Sequence, residues 1–181
     1  EKRAHKWPSW RIQLFRQPFS VQNTVVLVFW TDYQANIHVL DPFSKNVLWK
    51  KEWIRFCFPT IDDKILIGRY ENEEDSRTIV FEKIDPLTGS IIWSKTDKSI
   101  LEYINVQGIN FQDIVTQMKG QYILGSDFNG NLFLIDTEDG NLMWGYSSNN
   151  GGDYINIRVH ENIFFAEQRG TNSIYCFNIA K

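Results

Sequence analysis

The sequence predicts an all-β protein that contains four copies of one four-stranded antiparallel unit. The first observation is a repeated pair, an acidic residue eight positions before a tryptophan, at Asp41 and Trp49, Asp85 and Trp93, and Asp136 and Trp144. The second is that short apolar runs separated by turn residues surround each pair, while helical periodicity is almost absent. The third is the spacing, because units of four strands that recur every 40 to 50 residues or so are typical of β-propeller blades.

The third copy shows the expected elements most clearly, between Tyr122 and Trp144. An apolar run leads into a turn that contains Asn129 and Gly130, which is a strong hairpin signal. The returning strand ends at Asp136, whose carboxylate can accept hydrogen bonds from the following backbone N–H groups. A glycine follows at position 140, where it can adopt positive φ, and the last strand of the copy then opens towards Trp144.

The other copies repeat this turn with changes. Asp85 is followed by a proline, which suits the first central position of a type I turn, and then by Gly89. The turn after Asp41 has no glycine, and we expect Asn46 to adopt the left-handed conformation there. In the fourth copy Asn178 replaces the acidic residue, so the turn position recurs at spacings of 44, 51 and 42 residues.

The repeats predict a single domain over residues 1–181. Its blades are expected at about residues 18–53, 54–96, 112–147 and 154–179, the last of them completed by residues 10–16. Trp10 to Phe15 resembles a fourth strand with no strands before it, and the last copy has no fourth strand of its own. We therefore expect the N-terminal strand to complete the last blade and close the ring, which leaves no long exposed edge. Half of an eight-bladed ring made by two chains, and a fragment of a larger propeller, are the alternatives.

These segments resemble the PQQ-type, or quinoprotein-like, propeller repeat, whose outer edge carries Ala-x-Asp-x-x-Thr-Gly-x-x-x-Trp. The second copy matches this pattern at Asp85, Thr88, Gly89 and Trp93. The third copy has an aspartate in place of the threonine, and the first has lost the Thr-Gly pair. The resemblance covers nearly the whole chain and implies the fold. It leaves function open, since the repeat occurs in quinoprotein dehydrogenases, in outer-membrane assembly lipoproteins and in many binding proteins.

Composition excludes several classes of protein. With 43% hydrophobic and 15% aromatic residues, the chain is not disordered as a whole. A net charge of −3, from 19 basic and 22 acidic residues, argues against a duplex nucleic-acid binder. No apolar run approaches the 18 residues or so of a membrane span.

The two cysteines, Cys57 and Cys176, lie far apart in different copies, and we interpret both as buried free thiols. Unpaired cysteines favour a cytoplasmic location. The first residue is Glu and the visible N-terminus has no signal-peptide pattern, so a signal that has been removed stays open as an alternative.

Loop lengths predict where a partner would bind. The connection between the second and third strands of the second blade is lengthened at residues 70–77, and the connection after Trp93 is lengthened at residues 97–112. In a propeller both connections lie on the same face, and loops lengthened together indicate function. The candidate partner-binding residues are aromatic, basic or acidic side chains near this face, namely Tyr33, Arg69, Tyr70, Glu71, Glu73, Glu74, Asp75, Arg77, Tyr103 and Tyr154.

No pattern of residues points to catalysis. Adjacent cysteines of the quinoprotein type, a G-x-S-x-G elbow and Cys/His ligand spacing are all missing, and His5, His38 and His160 are scattered. We therefore predict a non-enzymatic protein-binding module without cofactor or metal, with a scaffold or a toxin-neutralising protein as specific forms. The alternatives are a propeller that binds a small molecule or ion in its channel, and a fragment of a PQQ-type enzyme or assembly factor. A homodimer formed by strand exchange is a further expectation.

Overall fold

The computed structural model describes residues 13–14, 17–31, 34–71, 79–96, 115–126, 131–147, 154–160, 163–168 and 173–178. Within these ranges the chain forms four antiparallel sheets, which are numbered here as blades one to four. The described part of the chain contains no helix of the length and hydrophobicity that a membrane crossing requires. The predicted all-β class and the four antiparallel sheets are confirmed, with five, four, four and three described strands in chain order.

Apart from the first strand, which pairs with the third, strands that are neighbours in a sheet are consecutive in the chain. Blade one contains β1 (Gln13–Leu14), β2 (Phe19–Val21), β3 (Thr24–Thr31), β4 (Gln34–Leu40) and β5 (Val47–Lys51). Blade two contains β6 (Ile54–Pro59), β7 (Ile65–Tyr70), β8 (Ile79–Ile84) and β9 (Ile91–Thr96). Blade three contains β10 (Val115–Lys119), β11 (Tyr122–Ser126), β12 (Asn131–Asp136) and β13 (Leu142–Ser147). Blade four contains β14 (Tyr154–His160), β15 (Ile163–Gln168) and β16 (Ser173–Asn178).

The N-terminal strand corrects one prediction. Gln13 and Leu14 pair with Trp30 and Phe29 of β3, so β1 belongs to blade one and does not complete blade four. β3 has eight residues, and β2 covers only its first three, which leaves a free stretch of edge. Pairing with that nearby edge closes a much shorter loop than pairing with blade four would. The other residues of the predicted strand, Trp10 to Ile12 and Phe15, lie outside the described residues.

Three apolar clusters join consecutive blades. The cluster between blades one and two contains Ile37 and Ile67, and the next contains Phe81 and Phe133. The third joins Leu132 of blade three to Phe164 and other aromatic residues of blade four. Because blades two and three each bury one face against the preceding blade and the other against the following blade, their strands have near-continuous apolar runs.

The repeated tryptophans link each blade to the next. Trp49 donates its indole N–H to the carbonyl of Pro86, 2.8 Å away in the following blade. Trp93 makes the same bond to the carbonyl of Thr137, at 3.3 Å. Each indole also covers the turn glycine of that next blade, and a Cβ added to Gly89 would lie 2.8 Å from Trp49. We call this contact the Trp–Gly lock.

The repeated aspartates hold the turns, which also confirms a prediction. Asp41 accepts hydrogen bonds from the backbone of Phe43 and the hydroxyl of Ser44, both at 2.8 Å. The first of these bonds is the main reason why the pKa of Asp41 lies below its ordinary value. The left-handed residue of this turn is Lys45, at φ 61°, so the expectation for Asn46 is wrong. Lys45 stands where the other turns place Gly89 and Gly140, because its N–H bonds to the carbonyl of Asp41 as theirs do to Asp85 and Asp136.

Neither Cys57 nor Cys176 forms a disulfide, as expected, but the environments of the two thiols differ. Cys57 lies in the core between blades one and two. Cys176 is exposed on β16, so the prediction that it is buried is wrong. The residues at the same repeat position, Val39, Lys83 and Leu134, are all buried, whereas none of the described strands covers this side of blade four.

Candidate functional site

One face of the molecule carries the connections from second to third strands and from each blade to the next. We call it the long-loop face, and its described residues near blades one and two include Glu52, Trp53, Tyr70 and Glu71. The opposite face carries the aspartate turns and is called the turn face. The described strands that flank the two predicted long loops end or begin at this face, and residues 72–78 and 97–114 lie outside the described residues.

A buried carboxylate forms the centre of the described site. Glu82 in β8 is only 1% exposed, and its two oxygens bind different cations. Oε1 accepts from Arg69 of the same blade at 2.8 Å, and Oε2 accepts from Lys51 of blade one at 2.5 Å. Because Lys51 and Glu82 lie in different blades, this charge network connects blades one and two next to the long-loop face.

The network determines the charge state of Glu82. Burial alone would raise the pKa of this carboxyl, since the charged form loses water. The hydrogen bonds from Arg69 and Lys51, together with their positive charges, outweigh burial, and the pKa of Glu82 lies below its ordinary value. Glu82 is therefore ionised at neutral pH, as a paired buried charge must be.

Arg69 also orients the start of a predicted binding loop. Its Nη1 donates to the carbonyl of Tyr70 at 2.9 Å and to that of Glu71 at 3.3 Å. A guanidinium bound at the same time to a buried carboxylate and two carbonyls fixes the direction in which the chain leaves β7. Arg69 thus positions the loop after Tyr70 from a site where it is itself held by Glu82.

Aromatic and basic side chains flank this network. The guanidinium of Arg55 lies over the ring of Tyr70, 5.3 Å from its centre, within the range of a cation–π interaction. Trp53 accepts a backbone hydrogen bond from Tyr70 at 3.2 Å and has φ 63°. A bulky residue in the left-handed region is uncommon, and such strain costs about 1–3 kcal/mol and clusters at functional sites.

These residues border an open cleft of about 400 Å³, which is lined by Lys50, Lys51, Glu52, Trp53 and Arg69. Basic side chains predominate in the lining, and Lys50 pairs with Glu52 across its surface at 3.7 Å. A cleft with a tryptophan and an arginine in its wall, next to a tyrosine, has the composition of protein-binding hot spots. We call it the Trp53 cleft.

The structure brings together three of the ten predicted binding residues, namely Arg69, Tyr70 and Glu71. Tyr154 opens β14 on the same face, and its backbone pairs with Gln168. The remaining six predicted residues, Tyr33, Glu73, Glu74, Asp75, Arg77 and Tyr103, lie outside the described residues.

Sequence reasoning missed the centre of the network. Glu82 and Lys83 are consecutive charges in the middle of a strand that is otherwise apolar at its buried positions, and both are buried. Charged residues are almost never fully buried unless they are paired. Two charges in a strand whose repeat copies are mostly apolar were therefore a usable signal for the network.

Lys83 belongs to a second cleft, on the turn face between blades two and three. Its side chain is 5% exposed, and its ammonium binds Asp62 at 2.8 Å. The cleft has a volume of about 250 Å³ and is lined by Ile61, Asp62, Lys83, Gln121, Thr137 and Glu138. The carboxylate of Asp62 already binds the ammonium of Lys83, so we interpret this ion pair as structural.

Metal-ligand geometry does not occur in the part of the chain that the structure describes, where no three His, Cys, Asp or Glu residues converge. His160 is exposed, and His38 packs edge-on against Phe29 with ring centres 4.8 Å apart. Burial, followed by the charge of Lys50, lowers the pKa of His38. His38 is therefore neutral at neutral pH.

No protein-family model matches the chain, and no curated protein sequence matches it. Solved structures do match. BamB from Moraxella catarrhalis is 14% identical with a TM-score of 0.55, over 89% of this chain and 42% of BamB. The computationally designed Ika4 protein is 15% identical with a TM-score of 0.56, over 90% of this chain and 88% of Ika4.

The Cps50 (Swd1) β-propeller domain of Myceliophteria thermophila is 12% identical with a TM-score of 0.56, over 87% of this chain and 48% of that domain's chain. The chain therefore spans less than half the length of BamB and of the Swd1 structure. Likeness at this level of identity shows the fold alone, and with four repeated antiparallel sheets it establishes the chain as a β-propeller protein.

Proposed function

We propose that the protein is a non-enzymatic binding module whose long-loop face contacts a protein partner at the Trp53 cleft. The observation that carries the proposal is the grouping of Trp53, Arg55, Arg69 and Tyr70 around an open cleft next to the start of a lengthened loop. Tryptophan, tyrosine and arginine dominate binding energy in protein interfaces. Glu82 supports the site by holding Arg69, and thereby the loop.

The partner proposed for this face carries a basic patch. The predicted loop directly after Tyr70 contains four acidic residues, Glu71, Glu73, Glu74 and Asp75. Opposite charges at the rim of an interface raise association rates and select the partner. A toxin-neutralising or scaffold protein is the specific form of this proposal, in which the loop covers a basic surface while the cleft receives an apolar or aromatic anchor.

Tyr70→Ala tests the face. The wild-type chain is used as bait in an extract of its source, captured proteins are identified by mass spectrometry, and the affinity of each purified candidate is measured by calorimetry. Tyr70→Ala is expected to weaken true binding by about tenfold or more, since a hot-spot side chain contributes at least about 1.4 kcal/mol. Phe43→Ala is the matched control, because Phe43 is an aromatic residue 88% exposed on the turn face.

Deletion of residues 71–75 tests the acidic loop separately. It should weaken binding and make the remaining affinity less dependent on salt, while the melting temperature stays nearly unchanged. If both Tyr70→Ala and the deletion bind as the wild type does, or if Phe43→Ala weakens binding equally, the face is assigned wrongly.

The repeat itself is proposed to be of the PQQ type. Its support is the turn of blade two, where Asp85 accepts from the backbone and hydroxyl of Thr88 at 3.0 and 3.1 Å and Gly89 receives the indole of Trp49. The alternatives of a fragment of a PQQ-type enzyme or assembly factor, and of a channel that binds a small molecule or ion, have no comparable observation behind them. Homodimer formation by exchange of the N-terminal strand is not favoured, because β1 pairs within blade one.

A further inference from the structure

Blade four exposes a face that the other three blades bury. Ile174 in β16 lies four residues before the turn position Asn178 and is 73% exposed. The residues at the same repeat position are Ile37, Phe81 and Leu132, and each is 0% exposed. An isoleucine at a position that is otherwise completely buried indicates a surface that is built to be covered.

The neighbours of Ile174 on that face are also exposed at positions that the other blades bury. Phe165 pairs with Cys176 across β15 and β16, and both are exposed. The repeat positions of Phe165 in the earlier blades hold Val26, Leu66 and Leu124, none more than 2% exposed. The repeat positions of Cys176 hold Val39, Lys83 and Leu134, all of them buried. We call the surface formed by Phe165, Ile174 and Cys176 the terminal face.

The internal junctions show what fits such a face. In each of them it packs against the side of the next blade that carries the first apolar residue of the second strand, such as Ile65 or Phe164. Blade one has the same side, and none of the other described blades lies against it. There Val25, Leu27 and Leu40 are only partly buried, whereas their counterparts in blade two, Ile65, Ile67 and Ile84, are 0% exposed.

The side of blade one differs from the internal receiving sides in one respect. Its turn carries Lys45 at the position of Gly89 and Gly140, where a Cβ would lie 2.8 Å from the docked tryptophan. A Trp–Gly lock cannot form on Lys45 without displacement of the indole. A junction onto blade one therefore rests on apolar burial alone and is weaker than the internal junctions, which suits an interface between separate molecules.

We propose that the terminal face docks against blade one of a second copy of this chain, so that two copies stack head to tail and close one ring. The two interfaces of such a pair are identical, and neither terminal face stays bare. Within one chain blade one does not cover the terminal face, because Ile174 is 73% exposed. The surface is separate from the long-loop face, so the proposal does not rest on the proposed function.

Ile174→Asp in the full chain tests the interface. Analytical ultracentrifugation from about 1 to 100 µM should show a dimer for the wild type and a monomer for Ile174→Asp, because a charge placed in an apolar junction loses its hydration. Ile61→Asp is the matched control. Ile61 is an isoleucine 72% exposed on the turn face of blade two, so the same charge there should leave the dimer intact. Circular dichroism verifies that both variants are folded.

Cys176 provides a second, independent measurement. A maleimide reagent should modify Cys176 about tenfold or more slowly in the wild-type dimer than in Ile174→Asp, while the buried Cys57 reacts slowly in both. A wild-type monomer with fast labelling, a monomer with protected Cys176, or a dimer that survives Ile174→Asp would each overturn the proposal. The second of these outcomes would identify closure within one chain.

Discussion

At the scale of single residues, the junctions onto blades two and three each depend on one glycine in the receiving turn. Gly89 has φ 73° and lies under the ring of Trp49, so it meets both a backbone and a steric requirement. Gly120 has φ 57° with nothing within 4 Å of an added Cβ, so it meets only the backbone requirement. A comparison of the two positions therefore separates the free-energy cost of the positive-φ backbone from the cost of disturbing the Trp–Gly lock.

Gly89→Ala should therefore be the more damaging of two chemically identical substitutions. We expect a loss of about 2–3 kcal/mol in the free energy of unfolding, because backbone strain of about 1–2 kcal/mol adds to displacement of Trp49. Gly120→Ala should lose only the strain. Urea denaturation followed by tryptophan fluorescence measures both, and equal losses would mean that the Trp–Gly lock adds no stability.

At the scale of elements, the charge network connects β5 of blade one to β7 and β8 of blade two. Glu82 occupies the repeat position of His38, Phe133 and Tyr175, so the aromatic contacts made elsewhere are replaced here by ion pairs. A buried ion pair contributes little net stability compared with apolar packing, but loss of one partner is costly. The network is therefore expected to specify the geometry of the cleft more than to stabilise the blade.

Glu82→Gln tests this through pH. At pH 7 the variant should lose about 2–3 kcal/mol in the free energy of unfolding. This loss is smaller than for fully buried partners because Lys51 and Arg69 are 21% and 26% exposed. The folded pKa of Glu82 is lowered, so its contribution is complete above the unfolded value near 4.5 and is lost as pH falls through the folded value.

The difference between wild type and Glu82→Gln should accordingly shrink below about pH 4.5 and stay constant from pH 5.5 to 8. Urea titrations at pH values below about 4.5 and from 5.5 to 8 measure this difference in the free energy of unfolding. Glu52→Gln is the control, since Glu52 is exposed and pairs with the exposed Lys50 at 3.7 Å, and it should change stability little at any pH. A difference for Glu82→Gln that is independent of pH would contradict the ion-pair account.

At the scale of the whole molecule, blades stack through apolar faces, and the two outermost faces are the exception. If a second copy covers them, apparent stability depends on concentration, because binding to the folded state alone adds RT ln(1 + [L]/Kd). For a Kd near 1 µM, the melting temperature should rise by roughly 5–10 °C between about 1 and 100 µM. Ile174→Asp should abolish this rise. A wild-type melting temperature that does not change with protein concentration would exclude a dimer that forms in this concentration range.

Local chemistry made much of this protein predictable from its sequence. Asp41, Asp85 and Asp136 hold turns through bonds to residues two or three positions away, and the strands between them alternate with turn residues, so their positions could be read directly. Trp49 and Trp93 were recognisable as blade contacts because the repeat places them identically. The residues Arg69, Tyr70 and Glu71 were identifiable as a group only because a lengthened loop follows them.

Only the tertiary structure decided which groups meet across blades. It paired Gln13 and Leu14 with blade one, joined Lys51 to Glu82 across 31 positions, and left Ile174 bare although its sequence context matches that of buried residues. The physical reason is that turns and strand periods depend on neighbours in the chain, whereas edge pairing, charge pairing and burial depend on which surfaces the folded blades bring together. The sequence by itself therefore determined the repeating unit, and the stacking of the blades decided where a cleft opens and which apolar face stays exposed.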